Sequence, residues 1–276
     1  MKLNNYIIIF FFIIFLFVFI GSIPENYNEK INVLKIDLVK NGIPEEWIDE
    51  NINDSRFQIY YELEELYKKM PENLVKNKEK DFDWYKNKFG LEEKIILGKK
   101  FINNNKEILN KIENKNGIHY ELIVSILGME TNYGDKRYIG KYYVFPIIVS
   151  HYILFESKKK FALRELISLY NFCIKTGKST YNFQGSYSGA TGFAQFIPSS
   201  LSYYFIDYNN IDSDIDVYSF DDALSSIENY LFQNRLSRKN IEIHNERLNA
   251  VLKYNHSSAY ADAVLYIYNE LRKNRS

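Results

Sequence analysis

Along most of this chain apolar residues recur at the three- and four-residue spacing of helices, and one stretch breaks the rhythm. From about Asn26 to Lys80 short apolar repeats (Val33-Leu34, Ile36, Leu38-Val39, then Ile59-Tyr60-Tyr61, Leu63, Leu66-Tyr67) stand in Lys- and Glu-rich sequence and predict short amphipathic helices. Between two of them lies Asn41-Gly42-Ile43-Pro44, where Gly42 suits a helix stop and Pro44 a first helical turn. Helical patterns continue from Ile95 to Leu109 and through Leu122 to Met129, then return from Ala223 to Leu231 and from Leu248 to Leu271. Between Asn182 and Pro198 small residues and glycines replace them. Strand signals are sparse, and at most a small sheet fits around residues 180 to 220. The expected fold class is therefore mainly α, a helical domain interrupted by one glycine-rich loop region.

At 276 residues the chain is long enough for one large domain with a sizeable core. Its first part reads differently. Lys2 precedes an unbroken apolar run from Tyr6 to Ile20, followed by Gly21-Ser22-Ile23-Pro24. A membrane span needs roughly 20 apolar residues, so the run fits an export signal better. Cleavage near Gly21 or Ser22 would free the rest of the chain. The small-residue pattern there is poor, which leaves an uncleaved anchor as the alternative. No Cys follows the run, so lipid attachment at that point is excluded. Residues 1–22 are thus read as signal peptide or signal anchor, and the soluble part is expected outside the cytoplasm, periplasmic or held at the outer face of the cytoplasmic membrane.

Charge narrows the partners. Lys plus Arg and Asp plus Glu number 35 each, so no net field favours nucleic acid or an anionic surface. The 24 Tyr and 20 Phe include rings suited to packing on sugars, though the chain is rich in Ile, Asn, Lys, Tyr and Phe throughout, which accounts for most of the Tyr. Cys173 is the single cysteine, so no intrachain disulfide forms and the residue reads as a small buried hydrophobe. None of the four histidines stands in a pattern that would pair with it for nucleophilic catalysis.

Three segments carry candidate chemistry. In Glu130-Thr131-Asn132-Tyr133-Gly134, the acid follows Ile123, Ile126 and Leu127 by seven, four and three residues, which places it on the apolar face of a helix. A carboxylate there would be poorly solvated, so its pKa should rise towards neutrality, as a proton donor requires. Gly134 is the expected helix stop. The second segment, Gly185 to Ser200, has no Gly-Lys-Ser/Thr for phosphate, and Tyr187 stands where a hydrolase elbow needs Ser. What remains is a loop whose glycines allow close backbone approach to a ligand, with Gln195 able to donate and accept hydrogen bonds to sugar hydroxyl and acetamido groups. The third, Tyr254-Asn255-His256-Ser257-Ser258-Ala259-Tyr260-Ala261, is a polar start to an apolar helix.

In order and spacing, these segments together resemble the lytic murein transglycosylase B family, a branch of the lysozyme-like glycan-cleaving enzymes. The likeness rests on Glu-Thr-x-Tyr-Gly at Glu130 to Gly134, Gly-Ser-x-x-Gly-Ala-x-Gly-x-x-Gln-Phe-x-Pro-Ser-Ser at Gly185 to Ser200, and Tyr-Asn-x-Ser-x-x-Tyr-Ala at Tyr254 to Ala261. Gly42-Ile-Pro44, Trp84-Tyr85 and Gly98-x-x-Phe101 add fainter support, so it covers about residues 40 to 270. The resemblance implies a lysozyme-like domain over residues 30–272, with a helical N-terminal part at about 30–80. It implies Glu130 as sole catalytic acid and base, Ser186, Gln195, Tyr254 and Asn255 lining the groove, peptidoglycan glycan strands as substrate, and no required cofactor. The implied reaction cuts the β-1,4 bond between N-acetylmuramic acid and N-acetylglucosamine without water, leaving a 1,6-anhydro ring. A muramidase that admits water is an alternative, and it needs a second carboxylate, for which Asp135 or an Asp of residues 207 to 216 would be candidates. A wall-binding protein without turnover is another.

Two stretches depart from the family pattern. Phe145-Pro-Ile-Ile-Val-Ser-His151 and Ser157-Lys-Lys-Lys160 replace an Asp-Ala-Leu stretch and a Pro-Arg-Arg turn. The lysines read as a solvated charge run, with the carboxylates of peptide stems as the alternative partner. Asp207 to Asp216 lies where some members carry a calcium loop. A frame from Asp212 through Asp214 and Asp216 meets Val217 at the glycine position and Ala223 at the closing Glu position. It is read as a hydrated acidic loop, with a weak structural calcium site as the alternative.

Overall fold

The computed structural model describes residues 25–69, 82–273 and 275; the apolar run at 6–20 lies outside them, and of Trp84 and Tyr85 only the backbone is described. The described residues form helices α1 (Glu25–Lys40), α2 (Glu45–Ile52), α3 (Glu62–Lys69), α4 (Phe82–Phe89), α5 (Leu91–Asn104), α6 (Lys106–Asn116) and α7 (Tyr120–Thr131). Then follow α8 (Val144–Leu154), α9 (Lys159–Thr176), α10 (Pro198–Tyr204), α11 (Phe220–Gln233), α12 (His244–Tyr254) and α13 (Ser258–Arg272). Two short strands complete them, β1 (Tyr142–Tyr143) and β2 (Gln184–Gly185), paired antiparallel with Tyr142 opposite Gly185.

Helix α7 is the centre of one half of the molecule. Every residue from Tyr120 to Gly128 is buried, because α5, α6, α11 and α13 enclose a helix that is apolar on most of its surface, with Glu121 paired to Arg275 and Ser125 bonded to the Glu121 carbonyl. The other half is built on α8, buried from Val144 to Ile153, and on α9, which packs against α1, α8 and α10. The glycine-rich segment joins the halves. Its β2 pairs with the strand that leads into α8, while Phe193 stacks on Phe220 of α11 and Phe196 packs on Tyr230 and Tyr254 of α11 and α12.

Three expectations are corrected. Helix α7 ends at Thr131, before Gly134, because Asn132 (φ 49°) and Tyr133 (φ 63°) already turn left-handed and the Asn132 amide closes on the Gly128 carbonyl. Asn adopts that region more readily than most residues. The continuous period from Leu248 to Leu271 is two helices. Asn255 is extended and Ser257 caps α13 through the Tyr260 amide, so the polar helix start prevails over a period that continues on both sides. The sheet pairs β2 with Tyr142-Tyr143, outside residues 180 to 220, a partner fixed by long-range register. At Gly42 (φ 84°) the stop after α1 is as expected, while Pro44 sits one residue before α2, as its cap.

Candidate active site

Glu130 occupies the last turn of α7, half-buried, with Tyr260 of α13 donating its hydroxyl proton to Oε1 at 2.6 Å. Burial pushes the carboxyl pKa up to about 7, against the opposing pull of the Tyr260 hydrogen bond and the Lys94 charge. The negative end of the α7 dipole acts in the same direction as burial. Lys94, on α5, directs its ammonium at the Gly128 carbonyl (2.7 Å) and at Asn132 Oδ1 (3.2 Å), and burial lowers its own pKa.

The residues after Glu130 each fix the helix end. Thr131 Oγ1 donates to the Phe193 carbonyl at 3.0 Å and accepts the Gly134 amide at 3.2 Å, tying α7 to the glycine-rich segment. Tyr133 folds back across Gly128 and Gly98, reaching the Lys94 carbonyl at 2.6 Å. A Cβ at Gly128 would lie 2.5 Å from the Tyr133 ring and one at Gly98 2.7 Å from its hydroxyl, so two helices owe a glycine to one tyrosine. Gly134 (φ 81°) passes Phe220 so closely that a Cβ would stand 2.5 Å from that ring.

In the glycine-rich segment Gly185 lies against the Ala190 carbonyl, 2.1 Å from where a Cβ would be, and the turn closes through the Ser186 amide to Ala190 O at 2.8 Å. Ser186 Oγ bonds Ser188 Oγ at 2.9 Å and accepts the Ser188 and Ala190 amides. Gln195, left-handed at φ 49°, donates its amide to the Gly192 (2.9 Å) and Ile139 (3.3 Å) carbonyls. The Tyr254 hydroxyl donates to the Ala194 carbonyl at 2.5 Å, and burial followed by the Glu130 charge pushes its pKa well up. Asn255 is exposed and accepts the Ser257 amide at 3.1 Å.

Of the candidate residues, the fold thus brings Tyr254 towards Glu130 and ties its hydroxyl to the backbone one residue before Gln195; the Gln195 amide bonds the Gly192 and Ile139 carbonyls, and Ser186 and Asn255 bond within their own turns. Two groups that act on Glu130 were not singled out from sequence. Tyr260 stood inside a motif without a visible partner. Lys94 gave no signal, since it reads as one of many helix lysines.

The acidic loop does not converge. Asp212 pairs with Lys175 at 3.0 Å, Asp214 accepts from Ser213 and Asp216 accepts the Tyr218 amide, and among the described residues no group of three or more His, Cys, Asp or Glu side chains could hold a metal ion. Cys173 is buried, as expected, and burial pushes its thiol up to about 12. A cavity of about 470 Å³ lined by Trp47, Asn51, Cys173, Thr180 and Tyr181, among others, lies away from the acid; none of the residues around Glu130 lines it.

Residues 26–241 match the transglycosylase SLT domain family along most of the chain. The chain belongs to that family. Membrane-bound lytic murein transglycosylase B of Escherichia coli (strain K12) is 29% identical over 146 residues, 53% of this chain, and the match spans 40% of that relative's length. Among solved structures, the soluble lytic transglycosylase SltB1 from Pseudomonas aeruginosa superposes with a TM-score of 0.76 at 20% identity, covering 89% of this chain and 99% of that one. The Escherichia coli lytic transglycosylase Slt35 in complex with calcium gives 0.73 at 20% identity over 91% and 94%. SltB3 from Pseudomonas aeruginosa, in complex with NAG-NAM-pentapeptide, gives 0.73 at 18% over 91% and 81%. The mainly α, lysozyme-like fold expected from the motifs is the fold of this SLT-domain protein.

Proposed function

We propose that this family member is an exported peptidoglycan lytic transglycosylase with one catalytic domain over residues 30–272. The observation that carries the reading is a single carboxyl, Glu130, whose pKa is raised to about 7 and which is oriented by one hydroxyl. In its protonated form Glu130 gives its proton to the glycosidic oxygen, so the sugar C1–O bond breaks and the N-acetylglucosamine end leaves with a hydroxyl. The carboxylate so formed takes the proton of the muramyl 6-hydroxyl, whose oxygen bonds to C1 and closes the 1,6-anhydro ring. Glu130 ends protonated, ready for another cycle. Gln195, whose side-chain carbonyl accepts no bond from the described residues, would receive a sugar N–H or O–H beside Tyr254. Ser186 and Asn255 would contribute hydroxyl and amide from their turns.

The hydrolytic alternative needs a second carboxylate, and the candidates are engaged elsewhere. Asp135 accepts from the Arg137 guanidinium on both oxygens at 3.0 Å, and Asp207 accepts the Ile211 amide at 2.9 Å. Export rests on the apolar run at 6–20, whether it is removed or kept as the membrane anchor. Among the described residues no helix is long and apolar enough to cross a membrane. Mass spectrometry of peptidoglycan digested by the protein tests the reading: muropeptides ending in 1,6-anhydromuramic acid are expected, reducing ends would turn the case to a hydrolase, and an undegraded wall that retains the protein would turn it to a binding module.

Tyr260→Phe is expected to move the pH profile. The hydroxyl stabilises the carboxylate form of Glu130, so its loss raises the Glu130 pKa further above about 7. Since the starting acid must be protonated, the alkaline limb of the pH–rate profile should move to higher pH. A limb that stays or moves down would remove Tyr260 from control of the acid.

A further inference from the structure

His151 sits fully buried in α8, a helix whose other residues are apolar apart from Ser150 and the Tyr152 hydroxyl, and faces the glycine-rich segment. Its Nε2 lies 2.9 Å from the Tyr187 carbonyl and 3.4 Å from the Tyr67 hydroxyl, while Nδ1 is buried and has no hydrogen-bond partner among the described residues. A carbonyl can only accept, so Nε2 carries the proton and Nδ1 is the bare acceptor. Tyr67, Phe155 and Phe161 surround the ring. Burial and the nearby Lys158 charge hold its pKa down at about 4, so the imidazole is a fixed neutral donor at neutral pH.

Tyr187 is at the tip of the turn from Ser186 to Ala190. Bonds inside the turn set its shape: Ser186 N to Ala190 O, Gly189 N to Ser186 O, and the Ser186 hydroxyl to its neighbours. None of these sets where the turn stands on the rest of the protein. Its base is fixed by Gly185 opposite Tyr142, and its far side by Gly189 against Ile148, one helical turn before His151. His151 reaches the tip. A buried acceptor without a donor is unfavourable, so an apolar residue would pack here with less penalty. What the imidazole adds is the N–H to Tyr187.

We infer that His151 is a positioning residue for substrate binding: its Nε2–H holds the Ser186–Ala190 turn against α8 and thereby sets where the Ser186 hydroxyl meets the glycan. The inference rests on the glycan-cleaving reading above. It also gives a role to a stretch, Phe145 to His151, in which the chain departs from the family pattern.

Two amides of different reach test it. In His151→Gln the side-chain nitrogen can occupy the place of Nε2; in His151→Asn it reaches only the place of Nδ1. Hydrogen–deuterium exchange over residues 185–191 and steady-state kinetics on peptidoglycan strands are compared with the parent. The Asn variant should exchange faster across the turn and show KM raised roughly 5- to 10-fold, the equivalent of one hydrogen bond, with kcat little changed. The Gln variant should match the parent in both. An Asn variant that behaves as the parent, or a Gln variant as impaired as the Asn one, including loss of folding by both, overturns the role. Should the parent release no anhydro product, the reaction reading fails by itself, and exchange together with the affinity for a muramyl-containing glycan fragment still decides the part played by His151.

Discussion

Glu130→Gln is expected to lower release of 1,6-anhydro products by about 10²- to 10⁴-fold, the usual worth of a general acid and base. The amide keeps the size of the carboxyl and can still accept the Tyr260 hydroxyl, but it cannot pass a proton to the glycosidic oxygen. Stability supplies an independent reading of the same group. Its pKa is raised from 4.5 to about 7 by burial, so folding favours the protonated form. Below about pH 4, folded and unfolded chains are both protonated there and the parent keeps its full stability. As pH rises through 7 the parent loses up to roughly 3 kcal/mol that the amide variant does not lose, since each pH unit between the unfolded and folded pKa values is worth about 1.4 kcal/mol. Thermal melts at pH 8 and at pH 4 should therefore show the variant more stable at the first and level with the parent at the second. Full activity in Glu130→Gln would assign the proton to another group.

Gly140→Ala should produce the largest loss of stability. Gly140 has φ 103°, and a Cβ there would stand 2.1 Å from the Gly185 oxygen and 2.3 Å from its carbonyl carbon. Backbone cannot rotate away as a long side chain does. The β1–β2 pairing must open or the left-handed turn must rearrange, a change expected to cost at least ~3 kcal/mol and roughly 10 °C in Tm. Gly42→Ala is the control. It has a comparable φ of 84° but nothing within 4 Å, so it carries the backbone penalty alone, about 1–2 kcal/mol. Equal melting temperatures for the two variants would mean that the contact with Gly185 does not govern the fold.

The apolar setting of Glu130 was legible because its signal is local. Ile123, Ile126 and Leu127 precede Glu130 at helical spacing, and burial of that face follows from the spacing alone. The glycines of 185 to 192 were legible for the same reason, since φ above zero at Gly189 and Gly192 is a property of single residues. What the sequence withheld is pairing. Tyr260 meets Glu130 across 130 positions, β1 meets β2 across more than 40, and the ammonium of Lys94 finds the end of α7 only once α5 has packed on it. The break between α12 and α13 was masked differently: apolar periodicity runs through it, and only the capping chemistry of Ser257 records it.

Two neighbouring carbonyls, those of Phe193 and Ala194, receive the hydroxyls of Thr131 and Tyr254. One stretch of backbone is thereby gripped from two helices, one carrying the acid and one leading into the Tyr-Asn segment. Such a joint cannot be inherited in parts. A chimera that took α7 from one relative and the glycine-rich segment from another would bring together a hydroxyl and a carbonyl set for different partners, so recombination within this family should succeed only where the three segments travel as a set.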